Sequence, residues 1–303
     1  MLPSSKIRVG VLRGGPSGAY QDSLKTGAYV LSLLRDMPET YEPLDIFISK
    51  GGEWHTSGLP AEPHNILTHT DVVWNALHGH YGEDGQVQQI LQSLQLPYTG
   101  SSTIPSVFSH NKEIAKNLYR QHGLLTPSSL LLSAEDAGEE QLIEIFRTFI
   151  HPVIVKPTTG VKALGVRIAR TFHELKDAVK KTFAHSPKIM IEEYIRGSVS
   201  SCAVIENAKG ERFYALVPTG RHAIHFNKEI EEMAKSAHQV LGQRHFSSSD
   251  FMITPKGKIY ILETNSVPLL HEDSLLHHSL HATGWKPQDF ADHYLKLALN
   301  KVD

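Results

Sequence analysis

The sequence predicts an α/β fold that begins with an open parallel sheet and continues into an α+β region. Short apolar strands at 6–12, 45–49 and 71–77 alternate with helical or loop segments. This alternation is typical of a doubly wound sheet. The turn-rich stretch "PYTGSS" comes next, and after it strands and helices follow in a less regular order, so we expect a domain boundary near residue 101.

The composition is that of an ordinary globular protein, with 40% hydrophobic and 20% charged residues among 303. Thirty basic and 32 acidic residues give a net charge of −2, which does not indicate binding to nucleic acid or to an anionic membrane. The sequence has no apolar run near 18 residues and no signal-peptide pattern, so we expect a cytoplasmic protein. The single cysteine, Cys202, excludes an intrachain disulfide and a multi-cysteine metal site, and its strand-like surroundings predict a core position.

The predicted N-terminal sheet places polar residues where a ligand would bind. Its first strand runs into a glycine-rich loop at 14–18, and the next segment has apolar residues at helical spacing. The stretch "HGHYGEDG", residues 78–85, follows the third strand. Open α/β sheets bind ligands at the carboxyl ends of their strands, so we expect this stretch to lie near a site.

Two lysines stand at element ends in the middle of the chain. Lys112 begins a predicted helix that Gly123 closes, and Lys156 ends the strand-like "HPVIVKP" before a glycine-bearing loop at 158–165. Positive charge at such positions suits nucleotide phosphates, although a single lysine is more often a solvated surface residue. No G-x-x-x-x-G-K-[ST] motif is present, so the chain is not a P-loop enzyme.

The stretch "DFMITPKGKIYILETN", residues 250–265, reads as a hairpin with charged ends. With Lys256-Gly257 as a two-residue turn, Asp250 lies directly opposite Glu263. Asn265 points to the same side of the strand as Glu263. Like charges opposed on a strand pair are destabilising unless a positive group lies between them, and this oxygen-only set suits Mg²⁺ bound with phosphate oxygens. The alternative is a solvated hairpin end with ordinary surface acids.

Taken in order, these motifs resemble those of the ATP-grasp superfamily, and within it D-alanine–D-alanine ligase, across nearly the whole chain. The matching stretches are "VGVLRGGPSG", "ALHGHYGEDGQVQ", "LPYTGSS", "NKEIAKNLYRQHGL", "PVIVKP", "IEEYIRG", "SDF", "IYILETNSVP" and "EDSLLHHSLHATGW". The resemblance implies three domains, which we place at 1–100 (Rossmann-like), 101–191 (central ATP-grasp) and 192–303 (C-terminal ATP-grasp, with the metal site). It also implies a reaction that uses ATP and Mg²⁺. One carboxylate is phosphorylated to an acyl phosphate, and an amine attacks it to give an amide.

The resemblance also assigns roles to individual residues. Lys112 and Lys156 match the lysines that contact the ATP phosphates. The segment that reads adenine contains Glu192, Tyr194 and Ile195. The implied magnesium ligands are Asp250, Glu263 and Asn265. His78 matches a residue close to the first amino acid, and Ser274, with Leu275, matches the pair near the carboxylate of the second.

Several positions depart from the family pattern around the amino-acid substrates. Ala19 replaces the glutamate that holds the amine of the first substrate, and Ser248 replaces an arginine thought to stabilise the oxyanion. Val199 replaces the glutamate that binds ribose. Losing one oxyanion-stabilising donor typically costs about 3–4 kcal/mol of barrier. The sequence therefore predicts that the metal and phosphate groups are retained while the amino-acid pocket is altered.

Three loops also differ from the family. The serine-rich second loop is replaced by residues 161–165, and "PGMT" is replaced by 268–271, which puts Leu269 where the family has glycine. Most of the loop that covers the family's active site is missing between 218 and 228. The polar residues available as substitutes are Lys162, Arg221, His222 and His271.

Three functional hypotheses follow. The first is an ATP-dependent carboxylate–amine ligase acting on amino acids or a short peptide, with D-alanyl-D-alanine as the default product and another substrate favoured by the departures. The second is a Mg-ATP-binding protein without ligase activity. A dinucleotide-binding protein is disfavoured, because "GGPSG" lacks the G-x-G-x-x-G spacing. The family also suggests a homodimer formed through the N-terminal domain.

Overall fold

The computed structural model describes residues 6–160, 165–220 and 225–300, and these residues form three sheets with helices packed on them. None of the described helices is long and apolar enough to cross a membrane. The prediction of combined α/β and α+β architecture is confirmed. The predicted domain boundaries stay a prediction.

The first sheet has five strands in the order β4-β3-β2-β1-β5. Its strands are β1 (Ile7–Gly14), β2 (Tyr41–Ile48), β3 (Trp54–Thr56), β4 (Leu59–Pro60) and β5 (Val72–Asn75). Its helices are α1 (Tyr20–Arg35), α2 (Pro63–Leu67) and α3 (Gln86–Ser93). As predicted, β1 pairs in parallel with β2 and β5. The sheet is nevertheless mixed, because β3 and β4 are added as an antiparallel edge.

The second sheet has four antiparallel strands in the order β6-β9-β7-β8. Its strands are β6 (Ser129–Ser133), β7 (Val153–Pro157), β8 (Arg167–Ala169) and β9 (Lys188–Glu193). The helices of this part of the chain are α4 (Thr103–His110), α5 (Lys112–Gln121), α6 (Glu139–Thr148) and α7 (Phe172–Phe183). The core of this sheet is separate from the others, and it contains Val153, Leu175 and Ile189.

The third sheet also has four antiparallel strands, in the order β11-β10-β12-β13. Its strands are β10 (Ser198–Ala208), β11 (Glu211–Ala215), β12 (Phe246–Ile253) and β13 (Ile259–Asn265). The remaining helices are α8 (Asn227–Val240), α9 (Leu275–Ala282) and α10 (Pro287–Leu299). Cys202 on β10 is 1% exposed, which confirms its predicted core position, and burial raises the pKa of its thiol.

Helix α10 joins the first and third sheets through one core. The ring of Tyr294 packs edge-on against Trp74 of β5 at 5.0 Å between centroids, and Phe290 packs against Phe246 of β12 at 5.3 Å. The Tyr41 hydroxyl at the start of β2 donates a hydrogen bond of 2.8 Å to Asp292. Aromatic contacts of this kind bury large apolar surfaces. They fix the carboxyl end of β5 close to the segment that follows β13.

The β12–β13 hairpin places Asp250 opposite Glu263, as predicted, but its turn length and strand register differ from the prediction. Near the turn, Ile253 pairs with Ile259, and the Thr254 N–H donates to Lys258 O. The turn therefore has three residues, 255–257, and the predicted two-residue turn is wrong. A β-bulge between positions 250 and 251 then shifts the register by one, so that Asp250 does lie opposite Glu263.

Candidate nucleotide and substrate site

Asp250 and Glu263 form a carboxylate pair, directly opposite each other on β12 and β13. Ser201, the neighbour of Asp250 on β10, hydrogen-bonds through its hydroxyl to Ser248 at 3.1 Å. Burial, followed by the charge of Glu263, raises the pKa of Asp250 to about 7. The ammonium of Lys112 lies 3.5 Å from Glu263 Oε2. Two carboxylates that repel each other in this way are suited to bind one divalent cation between them.

Asn265 completes this donor set. It lies opposite Ser248 on the next strand and faces the same cavity as Asp250 and Glu263. The three side chains supply only oxygen ligands, as Mg²⁺ prefers. Within the described residues, no group of three or more His, Cys, Asp and Glu side chains is placed to hold a metal. The donor set therefore fits a cation that takes its remaining ligands from elsewhere, such as phosphate or water.

A cavity of about 210 Å³ lies between the second and third sheets. All five side chains predicted to bind the cofactor line it: Lys112, Lys156, Glu192, Tyr194 and Ile195. Asp250 and Glu263 also reach it, as do apolar side chains from both sheets. The cavity therefore combines apolar side chains with lysines and carboxylates, which suits a molecule with a flat base and a charged phosphate tail.

The two predicted lysines are held by local contacts. Lys112 begins α5, whose N-cap residue, Asn111, accepts hydrogen bonds from the next turn. The Lys112 ammonium donates to Gly160 O at 2.6 Å. Lys156 ends β7, and its ammonium contacts Glu192 Oε2. Glu192 itself is only 1% exposed. Its carboxylate is therefore buried in the wall of the cavity, paired with the Lys156 ammonium.

A second cavity adjoins the carboxylate pair on the side of the first sheet. It is lined by Ala19, His78, Glu83, Ser201, Ser248, Asp250, Glu263, Asn265, Val267, Pro268, Leu269, Leu275 and Leu276. No lysine or arginine stands among these described lining residues. Ala19 and Ser248, two of the departures seen in the sequence, both face this space. Two altered positions therefore line the same cavity as the carboxylates of Asp250 and Glu263.

His78 is held at both ring nitrogens. Nδ1 lies 3.0 Å from Val267 O and Nε2 lies 2.8 Å from Thr26 Oγ1 on α1. A carbonyl oxygen can only accept, so Nδ1 carries the hydrogen and donates it. The ring is 3% exposed and lines the second cavity. It therefore ties the first sheet to the segment after β13 at the edge of the site.

Ser274 lies just behind this cavity as the N-cap of α9. Its hydroxyl donates to His271 O at 2.7 Å and accepts from His277 N–H at 3.2 Å. The two residues after it, Leu275 and Leu276, face the cavity. The first N–H groups of a helix have no partner within the helix and can bind an anion. The cap thus sets the direction of the helix end beside the substrate space.

Two buried charged residues near the site were missed in the sequence. Lys116 is 1% exposed and lies 3.3 Å from Glu192 Oε1. Its spacing of four residues from Lys112, on a helix with apolar neighbours, was the signal that could have revealed it. Glu83 is 5% exposed, accepts from Gly79 N–H at 2.9 Å and lines the second cavity.

Of the four proposed substitutes for lost polar groups, Lys162, Arg221 and His222 lie outside the described residues.

Two facing sheets with an oxygen-ligand pair and two lysines around one cavity define the class of protein. The structure is similar to that of the D-alanine–D-alanine ligase from Coxiella burnetii, with a TM-score of 0.87 and 24% identity, covering 98% of this chain and 96% of that one. It is also similar to the Bacillus anthracis D-alanine–D-alanine ligase solved with ATP, with a TM-score of 0.80 and 26% identity, covering 97% of each chain. The fold is the ATP-grasp fold.

Sequence comparisons identify the family within this class. The family model for the D-ala D-ala ligase C-terminus matches residues 118–224 and 211–296, and the model for the N-terminus matches 57–101. The D-alanine–D-alanine ligase of Aquifex aeolicus is 30% identical over 292 residues, covering 89% of this chain and 93% of that protein. The chain therefore belongs to the D-alanine–D-alanine ligase family, which confirms the resemblance seen in the sequence.

We expect Asp250→Asn to raise the unfolding free energy of the metal-free protein by about 1 kcal/mol, because it removes one of two like charges facing each other. Urea denaturation with and without MgCl₂ measures this effect. Magnesium should stabilise the wild-type protein more than the variant. A variant that is less stable without metal and equally stabilised by magnesium would contradict a metal role for this pair.

Proposed function

We propose that the protein is an ATP- and Mg²⁺-dependent carboxylate–amine ligase that joins two amino acids through an acyl phosphate. Family membership supports this, and the observation that carries it is the cavity between two sheets, where both lysines meet the carboxylate pair. The segment of Glu192, Tyr194 and Ile195 would contact the base, with the buried Glu192 carboxylate itself paired to lysine, and Lys112 and Lys156 would contact the phosphates. Asp250, Glu263 and Asn265 would hold Mg²⁺, which when bound neutralises charge on the phosphates.

The proposed reaction has two steps, one on each side of the carboxylate pair. A carboxylate oxygen of the first amino acid attacks the γ-phosphorus, the bond to ADP breaks, and an acyl phosphate forms. The amine of the second amino acid then attacks the acyl carbon, phosphate leaves, and the amine loses a proton. Asp250 and Glu263 line both cavities, so a γ-phosphate there would lie beside the amino acids. Proximity of this kind accounts for much of the rate of such transfers.

His78 and Ser274 have proposed roles at the substrate end. The contacts of His78 with Thr26 and Val267 support a role in shaping the space for the first amino acid. The cap made by Ser274 supports a role at the carboxylate of the second, because it directs the start of α9 toward the cavity. D-Alanine is the first candidate for both substrates. Ala19 and Leu269 make the pocket less polar than the family pattern, so a different amino acid or short peptide is the second candidate.

We expect ADP and phosphate release that depends on both Mg²⁺ and an added amino acid. A coupled assay with a panel of D- and L-amino acids, singly and in pairs, measures it. The omission of amino acid gives the background rate of ATP hydrolysis. If Mg·ATP raises the melting temperature but no member of the panel speeds ADP release, the protein is a nucleotide-binding module without ligase activity.

Glu263→Gln should weaken magnesium-dependent ATP binding by about ten-fold or more, equivalent to about 1.4 kcal/mol, because one charged metal ligand is lost. Calorimetry with a non-hydrolysable ATP analogue, with and without Mg²⁺, measures the affinity. Glu135→Gln is the matched control, since Glu135 is an exposed acid away from the cavities. Equal affinities in wild type and Glu263→Gln would argue against both ATP-dependent functions.

We also infer that the protein is a homodimer formed through its N-terminal domain, as the family resemblance suggests. Leu59 on the edge strand β4 is 69% exposed in the single chain. A second copy of the chain packed on this edge would cover it. Light scattering should give twice the 33.7 kDa chain mass at micromolar concentration. The chain mass at every concentration tested would contradict a dimer. A cytoplasmic location remains a prediction from the sequence.

A further inference from the structure

Lys116 lies directly behind the wall of the nucleotide cavity. It follows Lys112 by one turn of α5 and is 1% exposed. Its ammonium donates to Thr126 Oγ1 and to Pro127 O, both at 2.8 Å, and lies 3.3 Å from Glu192 Oε1. The three donor hydrogens therefore have three acceptors. Two of these neighbours, Pro127 and Glu192, are lining residues of the cavity.

The carboxylate of Glu192 is shared between two lysines. Oε1 faces Lys116, and Oε2 contacts the ammonium of Lys156. Lys156 is the one of the two that lines the cavity, while Lys116 does not reach it. A buried carboxylate without a cation is strongly disfavoured, so Glu192 must keep at least one of these partners. If Lys116 were absent, Lys156 would be the cation that remains.

We propose that Lys116 is a positioning residue that keeps Glu192 paired and so leaves Lys156 available to the phosphates of a bound nucleotide. The inference rests on the proposed function, because it assumes that a nucleotide occupies this cavity. When Lys156 turns toward phosphate, Glu192 retains the second ammonium and no buried charge is left unpaired. Lys116 itself touches neither phosphate nor base, and its effect on nucleotide binding passes through Glu192.

The arrangement also makes nucleotide binding sensitive to pH. Burial is the main cause that lowers the pKa of Lys116; Glu192 on β9 raises it, Lys156 on β7 and Arg120 on α5 lower it, and the net pKa is about 8. Thr126 and Pro127 contribute only neutral oxygens. Below about pH 8, Lys116 is charged and Lys156 is free to bind phosphate. As the pH rises through 8, Lys116 becomes neutral, and Glu192 then holds Lys156.

The test is the affinity of the full-length protein for a non-hydrolysable Mg·ATP analogue, together with ATP turnover. At pH 7, Lys116→Met should weaken binding about ten-fold and raise the KM for ATP more than it lowers kcat. The double variant Lys116→Met/Glu192→Gln should recover most of the lost affinity, because a neutral amide does not compete for Lys156. The affinity advantage of wild type over Lys116→Met should shrink between pH 7 and 9, because Lys116 loses its charge over this range.

The outcomes separate the two proposals. If Lys116→Met binds the analogue as tightly as wild type, or if the double variant is no better than the single one, the positioning role is wrong and the ligase function stands. Failure of the wild-type protein to bind Mg·ATP would overturn both. Circular dichroism of each variant checks the fold, and Lys116→Arg, which keeps the charge, should bind closer to wild type than Lys116→Met does.

Discussion

The repulsion between Asp250 and Glu263 is the constraint on which the rest of the site depends. Two acids held face to face on a strand pair cost stability unless a cation lies between them. Asp250 and Glu263 line both neighbouring cavities, so a cation that neutralised the pair would lie where the two cavities meet. The first sheet, the C-terminal helix and His78 are packed so that the second cavity closes against the same two side chains.

Around this pair the protein separates into a retained part and an altered part. The two lysines, the 192–195 segment and the three oxygen-bearing side chains follow the family pattern, and the C-terminal family model covers most of them. The N-terminal model begins only at residue 57, so the glycine-rich loop containing Ala19 lies outside its match. Ala19 of that loop lines the second cavity together with Ser248 and Leu269. Three departures therefore meet at the second cavity, while a fourth, Val199, lines the cavity between the second and third sheets.

The sequence predicted the fold and most of the site because both depend on local patterns. Strand and helix periodicity placed β1, β5 and α5, and the order of short motifs identified the superfamily. The mixed edge of the first sheet was missed because strands as short as β3 and β4 carry little periodic signal. Lys116 was missed because a lysine on a helix is usually solvated, and only the fold brings Glu192 and Pro127 onto it. Hydrogen-bond partners set by distant segments, such as Val267 for His78, cannot be derived from spacing.

The bulge in β13 changes which side chains line the cavity between the second and third sheets. In a regular strand, adjacent side chains point to opposite faces, so Leu262 and Glu263 could not both serve one surface. The extra residue lets both line the same cavity. An apolar side chain, Leu262, and a charged one, Glu263, thus line one cavity from adjacent positions in the chain.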